Sequence, residues 1–179
     1  DTRKELTYLT ISDTYRRMTV MDKEYLENYL ANYVGSLRAI QLWFHSAHIL
    51  AKGTGFAGDH VHLYGQIYNE VSDAIDTAIE KAVGITNDEV LGCPRTITYK
   101  ALEVLMDYPV PTNAAPLKIA LSALALVKSY IAFVEQMFSD LEEADELSLG
   151  LNDFLAQSAN TFEGYAYLLQ QRVKTEMDG

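Results

Sequence analysis

Four long segments carry apolar residues in alternating steps of three and four, and the chain's four prolines gather between the second and the third. That pattern is the signature of amphipathic helices and leaves little room for a sheet. The first segment is expected from about Asp22 to Lys52, with Leu26, Leu30, Tyr33, Leu37, Ile40, Phe44, Ala47 and Ala51 as its stripe. Asp22 fits the N-cap, and Gly53 and Gly55 end the run. The second is expected from about Asp59 to Val83, closed by Gly84, with Ile67, Val71, Ala74, Ala78 and Ala82 inward. Its opposite flank carries Asp73, Asp76 and Glu80, which share one face.

Pro94, Pro109, Pro111 and Pro116 punctuate a crossover over residues 85–116, in which TITYKALEVLMDY reads as a short helix. A third helix is expected over about Ala114 to Glu143, with Leu117, Leu121, Leu124, Ile131, Val134, Phe138 and Leu141 as its stripe, and Pro116 suits its first turn. The fourth is expected over about Leu147 to Thr175, with Leu151, Phe154, Phe162, Tyr165, Leu169 and Val173. The chain of 179 residues therefore reads as an N-terminal arm over 1–21 and one all-α domain over 22–179, large enough to bury a core.

Charge and composition narrow the function. The net charge of −11 repels nucleic acid and collects cations. Residues 1–23 hold Arg3, Lys4, Arg16, Arg17 and Lys23 against Asp1, Glu5, Asp13 and Asp22, a net of about +1. Counterion release from so few contacts predicts weak, salt-sensitive DNA binding at most. One cysteine, Cys93, excludes an internal disulfide framework and receives no role. No apolar run is expected to span a membrane and no signal-peptide core opens the chain, so an intracellular, cytoplasmic protein is the expectation.

The chemistry concentrates between Trp43 and Val83. The only four histidines, His45, His48, His60 and His62, fall within eighteen positions, and Asp76 and Glu80 follow one helical turn apart. Imidazole and carboxylate ligands on facing helices suit iron, manganese or zinc. The alternative is a polar interface network holding no metal. Trp43, Tyr64 and Tyr68 lie near this region as packing residues or as electron donors. The acidic stretch from Ser139 to Glu146 reads as a solvated helix–helix corner.

AHILAKGTGF, the DH pair after it, NEVSDAIDTAIEKAV and later FEGYAYLLQQ resemble the Dps family of mini-ferritins, over roughly Asn28 to Arg172. The resemblance implies a ferritin-like four-helix bundle with a short extra helix in the long crossover between helices 2 and 3. It implies a hollow homo-oligomeric shell, usually of twelve subunits, that oxidises Fe(II) with peroxide or dioxygen and stores ferric mineral. It also implies sites at two-fold interfaces, where first-helix histidine faces second-helix carboxylates of the neighbour. On this pattern His48, His60, Asp76 and Glu80 are the catalytic and metal-holding residues.

The chain departs from that pattern in three places. The carboxylate expected one turn after His60 is replaced by Tyr64, the His60–Asp76 spacing is one residue longer, and Ile49 stands where a tryptophan often follows the first histidine. If the extra residue precedes the helix, the histidine position becomes Val61 and the carboxylate position Gly65. Asp59, His62, His45 or Tyr64 could supply the missing ligand, with Asp59 equally suited to capping the helix after Gly58. A cage that keeps the shell without catalysis is the rival expectation.

Overall fold

The structure is a computed structural model that describes residues 2–177, with side chains over 23–175. Five α-helices form it: α1 (Thr2–Leu50), α2 (Gly65–Thr86), α3 (Pro94–Met106), α4 (Pro116–Glu143) and α5 (Leu149–Met177). A π-helical turn over Gly58–Tyr64 runs directly into α2, and a short 3-10 turn over Glu89–Gly92 precedes α3. The fold is the expected all-α bundle with a short extra helix in the crossover. α1 packs on both α2 and α3, α4 packs on α5, and α1 touches α4.

Helix ends differ from the sequence expectation for identifiable reasons. α1 starts at Thr2, well before Asp22, because neither glycine nor proline interrupts the chain before Gly35. The backbone at Asp22 is therefore inside the helix rather than at its start, and the side chain expected as an N-cap lies outside the described residues. The side chains of Arg3, Lys4, Arg16 and Arg17, which carry the arm's positive charge, lie outside the described residues, while Lys23 pairs with Glu27 at 3.3 Å. α2 runs past Gly84 to Thr86, where Asn87 adopts the left-handed conformation (φ 53°) and donates its N–H to Val83 O at 2.8 Å. Pro116 opens α4, two residues later than Ala114, and Ser148 caps α5 by accepting from Leu151 N–H.

The apolar stripe of α1 is buried at every expected position, from Leu26 to Ala51. The stripe on α2 holds except at half-buried Ala74. α4 is turned relative to expectation: Leu121 is exposed, and Ile119, Ala123, Leu126, Val127, Tyr130 and Met137 join Val134 and Leu141 in the core. That helix is apolar almost all round, so its periodicity selects no single face. It is also long and apolar enough to cross a membrane, contrary to the sequence reading, but its core-facing side is consumed by the bundle.

Polar ties join the layers. Tyr29 on α1 donates to Asp140 on α4, and this hydrogen bond is the first cause holding the Asp140 carboxyl below its usual range. Tyr165 on α5 donates to Glu70 on α2, and burial followed by that carboxylate pushes the phenol well above its ordinary value. Trp43 Nε1 donates to Pro109 O at 3.0 Å, fixing the segment after α3 against α1. At the α1–α3 crossing a Cβ on Gly35 would lie 2.3 Å from Lys100 Cβ and 3.1 Å from Lys100 backbone, so only glycine permits this approach.

Candidate metal centre

The end of α1 and the π-helical turn meet through two histidines. Residues 51–57 reverse the chain, helped by Gly53 in a left-handed conformation (φ 82°). His60 then comes back over His48. Their rings stack with centroids 4.0 Å apart and 12° between planes. His48 Nδ1 lies 2.5 Å from His60 O, and His60 Nδ1 lies 2.7 Å from His48 O. A carbonyl oxygen only accepts, so each Nδ1 must carry the proton. In the neutral rings both Nε2 atoms then keep a lone pair, the form in which imidazole binds a metal.

The pair belongs to a longer column of near-parallel rings. Phe56 stacks on His60 at 5.0 Å, Tyr68 lies 6.3 Å beyond His48, and His45 covers Tyr68 at 4.5 Å. His45 is thus placed by Tyr68 at the outer end of the column, while His62 is exposed in the last residues of the π-helical turn. Trp43 sits in the core against Phe44.

The π-helical turn accounts for the extra residue between His60 and Asp76. A π turn takes one residue more than an α turn, so the inserted residue is absorbed within the helix rather than before it. His60, not Val61, faces His48. Five residues on, Gly65 is buried against the pair: a Cβ there would meet His60 O at 2.4 Å and His48 Nδ1 at 2.9 Å. Because a π turn returns after five residues rather than four, Gly65 instead of Tyr64 comes under the pair, and there the backbone itself fills the space. Tyr64 is buried in the core with Phe44 at 6.1 Å, so packing replaces the ligand role considered for it.

Asp59 does not cap the helix. It lies inside the π-helical turn, 3% exposed, with both carboxylate oxygens taken by Arg172 of α5: Nε to Oδ1 at 2.6 Å and Nη2 to Oδ2 at 2.8 Å. This fork-to-fork pairing is the strong form of a charge-assisted hydrogen bond, and it engages both oxygens of one carboxylate offered as the replacement ligand. Arg172 was not singled out by sequence. The signal was there, since Leu169 plus three residues places a cation on the inward stripe of α5, where it needs a counter-charge.

Asp76 and Glu80 are exposed on α2, on one face with Asp73. Among the described residues of the single chain, no three histidine, cysteine, aspartate or glutamate side chains converge as a metal cluster. The chain therefore brings together His48 and His60 and presents Asp76 and Glu80 to the outside.

No family model and no curated protein matches this sequence. Solved structures do match. The X-ray structure of Dps from Thermosynechococcus elongatus superposes with a TM-score of 0.70 at 20% identity, covering 86% of this chain and 92% of that one. Dps from Microbacterium arborescens in its high iron form superposes with a TM-score of 0.69 at 18% identity, covering 86% and 95%. The chain has the Dps-like ferritin fold.

Proposed function

We propose that this protein is a Dps-like mini-ferritin: a homo-oligomeric shell, of twelve subunits on the family pattern, that binds Fe(II), oxidises it and retains the ferric product. The observation that carries the reading is the reciprocal His48–His60 pair, whose Nδ1 protons are fixed on carbonyls and whose Nε2 atoms are left as ligands. Asp76 and Glu80 from a neighbouring subunit would complete the site, because they are exposed on their own helix and one turn apart. The imidazoles hold the ferrous ion, and the carboxylates favour the harder ferric product. Peroxide accepts one electron from each of two ferrous ions, its O–O bond breaks and it leaves as two hydroxides, with dioxygen as the alternative acceptor. Manganese or zinc would compete for the same ligands without this oxidation being required.

The test is anaerobic addition of Fe(II) to metal-free protein, then peroxide, following ferric absorbance together with native mass. Saturable, protein-dependent oxidation by a large oligomer is expected. The double variant D76A/E80A is expected to keep the oligomer and lose ferrous binding, and unchanged uptake would refute the assignment of those residues. A second reading, a cage without catalysis, draws on Gly65 in place of a carboxylate and on Asp59 being committed to Arg172. It predicts a large oligomer with oxidation no faster than buffer.

A further inference from the structure

The ion pair that removes Asp59 from the ligand set gives it another task. Asp59 immediately precedes His60 in the π-helical turn, and its partner Arg172 comes from the far end of the chain. The pair is nearly closed to solvent, with the two side chains 5% and 12% exposed. Gly55 makes room for it: a Cβ there would approach Arg172 Nη2 to 2.8 Å and Asp59 Oδ2 to 3.2 Å. A π turn carries no intrinsic preference over an α turn and persists where its surroundings hold it. Here the surroundings are the bidentate contact on one side and the His48–His60 hydrogen bonds on the other.

We infer that Arg172 and Asp59 are positioning residues for the two imidazoles: they clamp the π-helical turn to α5 and thereby fix both histidines in the tautomer that leaves Nε2 open. The inference rests on the metal reading of His48 and His60 only for its functional consequence, since tautomer and stacking are properties of the metal-free protein. Arginine serves better than lysine because two parallel N–H bonds fix the orientation of the Asp59 carboxylate, which a point charge holds only loosely.

The test uses the assembled full chain labelled with nitrogen-15 at histidine, in an H45Q/H62Q background so that only His48 and His60 report. Solid-state NMR distinguishes protonated from unprotonated ring nitrogens. In the parent both rings are expected to show protonated Nδ1 and unprotonated Nε2. In D59N/R172Q, which removes both charges together, the rings are expected to shift toward Nε2–H. R172K is expected to lie between the two and serves if the double variant does not fold. In the otherwise unaltered sequence, ferrous affinity of D59N/R172Q should fall roughly ten- to hundredfold, the usual effect of losing an outer-shell partner. A folded variant of native mass that keeps the parental tautomer at both histidines overturns the inference. A parent that shows the fixed tautomers but binds no ferrous ion overturns the metal reading and leaves the clamp standing.

Discussion

Gly65 is the residue on which the histidine pair most directly depends. Any side chain there collides with a carbonyl and with the His48 ring. Gly65→Ala is expected to destabilise the protein by roughly 1–3 kcal/mol through overpacking, and to weaken ferrous binding in the same variant. Chemical denaturation and anaerobic iron titration measure the two effects. Arg172 has a larger expected effect on stability. Arg172→Ala leaves Asp59 buried without its guanidinium, a loss of about 3–5 kcal/mol when one partner of a buried pair is removed. Asp140 gives a pH-dependent counterpart. The Tyr29 hydrogen bond lowers its carboxyl in the fold, so the stabilisation is present above the ordinary carboxylate range and lost as pH falls through the lowered value. Asp140→Asn is expected to be less stable than the parent near neutrality, with the difference shrinking in acid, as thermal melting at several pH values would reveal.

Between helices, much was legible because one face is apolar and the other is not. The stripe on α1 could be read position by position, and the single acidic face of α2 emerged intact. α4 could not be oriented, since leucine and alanine surround it and only its neighbours select the buried side. The π-helical turn was visible only as one surplus residue between His60 and Asp76. Spacing counts residues but does not say which hydrogen bonds they make, so a bulge and a displaced helix start looked alike. Arg172 stayed hidden because its partner is 113 positions away. The α1–α3 crossing carries its own expectation. Gly35→Val should separate the short crossover helix from α1, at a cost of about 1–3 kcal/mol, with the protection of α3 amides from exchange falling first.

In the whole molecule, the proposal that ligands are divided between subunits predicts how hybrid shells would behave. H48A/H60A and D76A/E80A subunits should each be inactive alone. Reassembled together at equal ratio, they should regain roughly a quarter of the parental sites, since a two-fold interface pairs intact histidines with intact carboxylates in that fraction of cases. Ferroxidase assays on purified hybrids check this, and no recovery would place all the ligands within one subunit.

The distance in sequence between Asp59 and Arg172 also sets an order of events. α1 and the π-helical turn leave the ribosome long before α5 does. A growing chain thus displays His48 and His60 while the guanidinium inferred to position them has yet to be made. Contacts that close so large a loop form late. On the proposed metal reading, the nascent protein accordingly has no organised imidazole pair with which to seize a stray transition metal, and the site would be armed only when its last helix docks.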